Sequence, residues 1–469
     1  QAVSLIVAMV TPAEQCHSLL KGQLRKSLRA VLDSADSAGG ASSSNKSRIK
    51  SSKKSTQQLP RHYDVISSIA SACPSVVVGS MMDITNVICS VLTTQSNANA
   101  SSSSTRSSSP SSWVQLCISA VKCFACMVAP KRAPAIAVPL PGEVVQSIPS
   151  VLDYIGNHLN PLEPHAALLE AATKEERGEV RLACAEALLQ VARKHEELMQ
   201  HNVYMDLCLV LQDPICGVRR SFASELGDLV SFFQRQNPPM VTRACKYAAA
   251  FSLSGADPTM ENRESASQHL ERFLVQGDET LRAYAPRLSA QAKCVYAPEY
   301  VLVYAVHLLA SHPDYPTEED VRDHGEEECF DPFRKMLEFL LDRPWHHHQH
   351  PSNQRHQKSA AVAAGDGAAT EHDQCLKENI LESILKVQDG DNDGDGDGKR
   401  RAVRILCAMA KEVLPKRPSN SAEVVHKVVP LPKTMFPKRS RDCDGVKDAK
   451  KKKTKECLLQ PKNINLVDA

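Results

Sequence analysis

Apolar residues recur at helical spacing along most of the chain, and polar stretches separate these segments. In the first such segment, residues 13–35, Leu20, Leu24 and Leu28 share one face at four-residue intervals. No convincing pair of strands with period-two alternation is seen in the sequence. The pattern therefore predicts an all-α protein, with further helices over residues 63–72, 76–92, 113–128, 144–159, 378–387 and 402–414.

An internal repeat in the middle of the chain indicates how these helices are arranged. The segments that begin at Val180 and Val218 align at an offset of 38 residues, so that Arg181 corresponds to Arg219. A weaker third copy places Arg263 a further 44 residues along. Periods of about 40 residues built from two helices are typical of HEAT and armadillo repeats. The repeat predicts a HEAT/armadillo-type α-solenoid, in which each repeat buries its apolar face against its neighbours.

Two Asp-Pro pairs, at 213–214 and 257–258, precede an arginine of the repeat at the same spacing. We expect each proline in the first turn of a helix, where its missing N–H costs nothing, and each aspartate as the N-cap. The arginines would then reach an acidic side chain or helix end of the adjacent repeat; the alternative is that they are merely solvated. The residues of this predicted ladder are Arg181, Asp213, Arg219, Asp257 and Arg263.

Composition divides the chain into helical and polar regions. Ser-rich and Pro-rich stretches cannot bury enough apolar surface to offset chain entropy, so we expect them to be disordered. The predicted regions are degenerate helical repeats at 1–160 with inserts at 34–58 and 96–112 and a Pro-rich loop at 130–141, a HEAT-repeat array at 161–345, a disordered His/Ala-rich linker at 346–373, a final helix pair at 374–414 split by an acidic Gly/Asp loop at 389–398, and a disordered basic tail at 415–469.

Charge and cysteine usage narrow the classes of function. The formal net charge is +2 and no basic face is visible, which argues against direct gripping of duplex DNA. The 16 scattered cysteines are interpreted as free thiols in a reducing compartment. The longest uncharged apolar run, residues 301–310, is too short to span a bilayer, so we expect no membrane contact. The chain begins with Gln1 rather than methionine, from which we expect the C-terminal part of a longer protein.

Three motifs resemble metal sites, and each has a plainer interpretation. Cys123 and Cys126 form one Cys-x-x-Cys pair, but structural zinc needs four ligands and no second pair exists. The histidines of residues 346–350 have no acidic or cysteine partner at ligand spacing. The Asp/Gly loop fits the first positions of an EF-hand, but Arg400 stands where the closing glutamate belongs. Catalytic motifs are also absent from the sequence, so we expect no enzyme activity, no metal and no cofactor.

The basic residues near the C-terminus have the spacing of a bipartite nuclear import signal. Two basic clusters on an extended chain, separated by ten residues, can fill two acidic pockets of an import receptor. The alternative is a solvated charge run, or a tail that touches DNA non-specifically. We expect a nuclear protein, with an import receptor as a partner that binds Lys438, Arg439, Lys450, Lys451, Lys452 and Lys453.

Residues 297–315 carry a specific resemblance to a known family. They begin with Pro-Glu-Tyr, continue as an apolar helix ending in His-Leu-Leu-Ala, and close with a polar Pro-Asp turn. Together with residues 204–226, 330–341 and 428–436, this stretch resembles the HEAT region of the "precocious dissociation of sisters" family of cohesin-associated proteins.

The resemblance implies a hook-shaped, non-catalytic HEAT protein that docks on the kleisin subunit of cohesin. Such proteins act with the factors that release or maintain the cohesin ring, reach chromatin indirectly, and support sister chromatid cohesion in mitosis and DNA repair. The alternatives are a generic HEAT adaptor, as in transport or phosphatase scaffolds, and an enzyme with a non-standard site. For the contact surface, we expect exposed positions around Arg220 and Lys246.

Overall fold

The computed structural model describes residues 19–31, 49–93, 110–130, 139–160, 172–341, 366–388, 397–414, 429–432 and 435. Within these ranges the regular elements are helical, and no strand is found among them. The prediction of an all-α HEAT-type array is confirmed. None of the helices in the described ranges combines the length and the apolar character needed to cross a membrane.

The described residues form seventeen α-helices. In chain order they are α1 (19–31), α2 (Ile49–Ala72), α3 (Pro74–Val77), α4 (Met81–Thr93), α5 (Pro110–Val128), α6 (Gly142–Asn157), α7 (Lys174–His195), α8 (His201–Leu209), α9 (Cys216–Gln234), α10 (Val241–Ala248), α11 (Met260–Tyr284), α12 (Ala290–Tyr296), α13 (Val301–Leu309), α14 (Glu318–His324), α15 (Glu326–Leu341), α16 (Asp366–Gln388) and α17 (Asp397–Val413). Turns of 3₁₀ helix adjoin several of them, at Val78–Ser80, Glu196–Leu198, Val210–Gln212, Ala249–Ala256, Ala285–Arg287 and Pro298–Tyr300.

The helices stack in two layers. Helices α2, α5, α7, α9 and α11 lie side by side in that order and form the first layer. Helices α4, α6, α8 and α10 lie over them as the second layer, in which α10 continues into Ala249–Ala256 and both contact α13. Neighbouring repeats thus share one apolar core, as in repeat proteins whose units cannot bury a face alone.

The core stripe of α9 shows how sequence periodicity becomes packing. Val218, Phe222 and Leu226 follow at four-residue intervals, and all three side chains are buried. Full burial of each such side chain contributes about 1.5–3 kcal/mol relative to leaving it exposed. Helix α9 contacts both of its neighbours in the layer, α7 and α11.

Helix α7 begins where the sequence satisfies its free N–H groups. Thr173 is the N-cap: its hydroxyl accepts the Glu176 N–H at 3.1 Å, and the Glu176 carboxylate accepts the Thr173 N–H at 2.9 Å. This reciprocal capping box satisfies two donors that the helix itself cannot. The last turn is basic, with Arg193, Lys194 and His195 placed against the negative end of the helix dipole.

After α13 the chain folds back as a C-terminal bundle of α15, α16 and α17. Helix α15 packs on Ala249–Ala256 and on α17, while α16 and α17 pack on α13. Gly255 allows the approach of α15, because a Cβ at this position would lie 2.6 Å from the Lys335 carbonyl oxygen. The bundle therefore covers part of the second layer.

Three predicted polar regions are shorter than expected. Helix α2 begins at Ile49, inside the predicted insert 34–58; α5 begins at Pro110, inside 96–112; and α16 begins at Asp366, inside the predicted linker 346–373. The prediction of disorder considered polarity alone. A helix that is already packed gains one hydrogen bond for each residue added, so it extends readily through good helix formers such as Lys, Gln, Ala and Glu. Proline is also well suited to the first turn of a helix, as at α5.

Part of the tail predicted to be disordered, 415–469, packs against the folded body. Val429 is buried and donates its N–H to the Ser383 hydroxyl at 3.0 Å. The Pro430 carbonyl accepts the Tyr300 hydroxyl at 2.6 Å. Burial of Val429 and the two backbone hydrogen bonds offset the entropy cost of ordering this short segment. The polar residues on either side of it explain why the sequence predicted disorder here. The predicted import residues lie outside the described residues.

Candidate functional site

Buried ion pairs connect consecutive helices of the first layer. Arg181 on α7 donates Nε to Asp213 Oδ2 at 2.5 Å and Nη2 to Oδ1 at 3.0 Å. Arg219 on α9 donates to the carboxylate of Asp257 in the same two-pronged geometry, at 2.6 and 3.0 Å. In each pair the arginine side chain is 8% exposed and the aspartate 2%. The planar guanidinium matches a carboxylate edge to edge, so each pair fixes orientation as well as distance.

Arg263, the fifth residue of the predicted ladder, contacts a backbone carbonyl. Its Nη1 donates to the Asp257 carbonyl oxygen at 2.5 Å, as Arg219 Nη1 donates to the Asp213 carbonyl at 2.7 Å. Both arginines therefore bind the turn that precedes their own helix, but only Arg219 also bonds a carboxylate of the following repeat. The chain after α11 leads to α13, which lies on the second layer. The described contacts therefore contain no third pair between a ladder arginine and a carboxylate of the following repeat.

The two ladder aspartates are not N-caps, and the predicted placement of the prolines is wrong. The Asp213 carboxylate accepts the N–H of Ile215, and the Asp257 carboxylate accepts that of Thr259, each at 2.8 Å. An aspartate that bonds the N–H two residues on forms a turn, so α9 and α11 begin only after it.

Hydrogen bonds and the nearby guanidinium keep the Arg219–Asp257 pair charged. Burial alone would raise the pKa of Asp257, but hydrogen bonds from Arg219, Thr259 and Asn262 outweigh it, and the pKa is lowered. The carboxylate is therefore ionised at neutral pH opposite a permanently charged guanidinium.

The two positions expected to mark a contact surface differ in exposure. Arg220 is exposed on α9 and reaches the Asn262 side-chain oxygen at 3.3 Å. Lys246 is half-buried, with Nζ 2.6 Å from Glu196 and 4.5 Å from the centre of the Tyr204 ring. Lys246 is thus engaged within the second layer, and of the two only Arg220 is an exposed position. The long apolar part of a lysine side chain can pack against neighbouring residues, and the sequence pattern alone does not show where it does so.

An open groove of about 530 Å³ crosses the outer face of α5, α7 and α9; we call it the α5–α9 groove. Its floor includes Ala129, Leu189 and Phe232. The Gln190 amide spans two helices by donating to the Ala129 carbonyl at 2.7 Å, and the Arg193 guanidinium lies 5.8 Å from the Phe232 ring centre. Charges of both signs line it: Lys122, Arg193, Lys194, Glu186, Glu225 and Asp228.

The groove was not predicted from the sequence, although a signal exists. On α9, Arg220, Ser224 and Asp228 are exposed at four-residue intervals, so they occupy one outward face. Arg220 therefore lies on the face that lines the groove, two turns from Asp228. Recognising a groove also requires the neighbouring helices, which single-helix periodicity does not supply.

A second contact that sequence analysis missed joins distant parts of the chain. His312 Nε2 lies 2.7 Å from the Gln212 side-chain oxygen, and its Nδ1 accepts the Asp314 N–H at 3.1 Å. Burial lowers the pKa of His312, and its ring packs edge-on to Phe333. The only sequence signal is the short His-Pro-Asp turn after α13.

The cysteines in the described ranges are free and mostly buried in the core. Burial raises the pKa of the Cys184 thiol to about 12 and that of Cys123 further, so both stay protonated at neutral pH. In the described part of the chain, no group of three or more His, Cys, Asp or Glu side chains could hold a metal ion. The His-rich run 346–350 and the Asp/Gly segment 389–396 lie outside it.

The chain is a HEAT-type helical-repeat protein, as its two layers of stacked helices, its repeat near 40 residues and its buried Arg–Asp pairs show. The profile of the family described as "Sister chromatid cohesion protein PDS5 protein" matches residues 2–437. The chain belongs to this family.

Individual relatives match a shorter part of the chain. Sister chromatid cohesion protein PDS5 homolog B-A of Xenopus laevis is 30% identical over 153 residues, 32% of this chain and 10% of the relative. The human PDS5 homolog B is 29% identical over 153 residues, with the same coverage. The homolog B of Gallus gallus is 29% identical over 174 residues, 36% of this chain and 11% of the relative. The chain thus spans about one tenth of the length of these curated relatives.

Proposed function

We propose that this protein is a non-catalytic scaffold that regulates sister chromatid cohesion by binding the kleisin subunit of the cohesin complex. Membership of the family supports the cohesion role. The observation that carries the binding mode is the α5–α9 groove, an apolar floor that crosses three consecutive helices of the array.

The dimensions of the groove suit an extended segment. Packed helices lie about 8–10 Å apart, and an extended chain advances about 3.3 Å per residue, so each repeat meets roughly three residues of the bound segment. The apolar floor supplies contact area, while rim charges of both signs select register and partner. We infer that the kleisin segment alternates apolar residues with charges that pair with Arg193 and Asp228.

The same proposal includes the other predicted partners. Factors that release or maintain the cohesin ring bind other surfaces of the array, and chromatin is reached through cohesin. The protein acts in the nucleus, and an import receptor binds the basic clusters at 438–439 and 450–453. A fluorescent fusion that stays nuclear after both clusters are changed to alanine contradicts the import proposal.

The binding proposal is tested by calorimetric titration of the full chain with a kleisin fragment. A Glu225→Lys/Asp228→Lys variant reverses two charges of the groove. A matched control, Asp83→Lys/Glu143→Lys, makes the same net change at exposed positions of the second layer. We expect the groove variant to lose roughly tenfold or more in affinity and the control to bind like the parent.

The outcomes separate the candidate functions. Equal affinity of both variants contradicts the groove as the contact surface. Failure of the parent chain to bind any kleisin fragment contradicts the cohesin role and favours a generic HEAT adaptor, as in a transport or phosphatase scaffold.

A further inference from the structure

A second pocket lies in the C-terminal part of the molecule, between α14, the first turn of α15 and α17. Its volume is about 520 Å³, and we call it the C-terminal pocket. The lining is mainly apolar and includes Val321, Phe330 and Ile405. The α5–α9 groove is formed by other helices, so the two features are independent.

Tyr315 also lines the pocket and adds an aromatic side chain to its apolar surface. The Tyr315 hydroxyl is buried and has no hydrogen-bond partner among the described residues. Its ring is held by Phe330 and Phe333, with ring centres 5.7 and 5.4 Å away. The hydroxyl oxygen is enclosed by the protein, so Tyr315 presents its ring, and not a hydrogen-bonding group, to the pocket.

The pocket opens toward an acidic surface. Glu326 lines the pocket and also the adjoining depression, which contains Glu327, Glu328 and Asp331. These carboxylates are exposed and fall in or next to the first turn of α15. On the opposite side Arg401 forms an ion pair with Glu318, and Lys399 adds one positive charge to that edge. Asp331 is paired with Lys335, so Glu326, Glu327 and Glu328 carry the negative charge next to the pocket.

We propose that the C-terminal pocket docks a basic segment of a partner protein. An apolar side chain of that segment enters the pocket, and the lysine or arginine residues that follow it lie along the acidic first turn of α15. The apolar anchor supplies most of the affinity, and the charges supply orientation and partner choice. The excess of carboxylates disfavours nucleic acid and other polyanions at the same place.

The test uses the full chain and fluorescein-labelled peptides in which an apolar pair, Leu-Phe, Leu-Met or Ile-Phe, precedes a run of lysines. Binding is followed by fluorescence anisotropy. Replacing the apolar pair by Ser-Ser, or the lysines by glutamates, is expected to weaken binding by roughly tenfold or more, since each removes one of the two contacts. Binding should also weaken as salt is raised.

Two variants of the protein separate this site from a general electrostatic effect. Val321→Ser, at a half-buried position of the pocket lining, is expected to weaken peptide binding by roughly threefold to tenfold, because it removes apolar contact with the anchoring side chain; thermal denaturation verifies that the variant is folded. Glu327→Lys/Glu328→Lys is expected to weaken binding by about tenfold, whereas Glu261→Lys/Glu264→Lys, with the same charge change on exposed positions of α11, should not.

The results that overturn the proposal are equally definite. They are absence of binding by all three lysine peptides, equal binding of the Ser-Ser controls, parental affinity of a folded Val321→Ser variant, or equal loss in the two charge-reversal variants.

Discussion

Two parts of the first layer have the same helix stacking but different contacts between neighbours. From α7 to α11 each junction contains a buried Arg–Asp pair. From α2 to α7 the junctions are mainly apolar: the Tyr63 hydroxyl is buried without a hydrogen-bond partner among the described residues, and Cys117 is fully enclosed. A directional ion pair admits one register, whereas an apolar contact is satisfied by any shape of the right volume. The register of neighbouring helices within one layer is therefore fixed by buried ion pairs in one part and by apolar shape in the other.

The largest expected effect comes from leaving a buried charge without its partner. Arg219→Ala should lower the free energy of unfolding by about 3–5 kcal/mol, because Asp257 then remains buried and ionised. Urea denaturation measures the change. The control is Arg219→Met/Asp257→Leu, which removes both charges and should be far less destabilised. Similar losses in both variants would show that shape, not charge, holds this junction.

Acid should weaken the α7–α11 part through the same pair. The folded-state pKa of Asp257 is below its ordinary value of 3.8, so its contribution is present above that value and is lost as the pH falls through the lower folded-state pKa. We expect the melting temperature of the parent to fall more steeply below about pH 4 than that of Arg219→Met/Asp257→Leu. Parallel profiles would remove the role assigned to Asp257.

A smaller effect is expected at the junction of α5 and α7. Gln190→Ala removes the amide that bonds the Ala129 carbonyl and should cost about 1 kcal/mol of unfolding free energy. Chemical denaturation against the parent gives the value. A loss of unfolding free energy as large as that of Arg219→Ala would show that the α5–α7 junction depends on polar contacts as strongly as the α9–α11 junction does.

The smallest effect is expected at Tyr63, on α2. Its hydroxyl has no hydrogen-bond partner among the described residues, so Tyr63→Phe should leave the unfolding free energy within about 0.5 kcal/mol or raise it. Thermal denaturation monitors this change. A marked destabilisation would mean that a polar contact also contributes to the apolar junctions.

The sequence repeat places an Asp-Pro turn six residues before Arg219 and six residues before Arg263, and Arg181 and Arg219 each pair with the aspartate of the next such turn. The exception, Arg263, depends on where the chain goes after α11, which no local pattern encodes. Helix starts such as Ile49 were missed because propagation from a packed helix overrides polar composition.

The binding features are less accessible to sequence reasoning. The α5–α9 groove and the C-terminal pocket each combine side chains from several helices, so their residues have no common spacing. The prediction of exposed positions was right for Arg220 and wrong for Lys246, whose charge is used inside the second layer. Exposure of a long charged side chain is decided by its neighbours, not by its type.

The measurement that most directly tests the coupling of repeats is a double-mutant cycle at one rung. Unfolding free energies are measured for Arg219→Ala, Asp257→Ala, the double variant and the parent. We predict a coupling energy of about 2–3 kcal/mol, because the two side chains form a single buried, bidentate contact between successive helices. A coupling below about 0.5 kcal/mol, as for independent sites, would contradict the account of how this array is held in register.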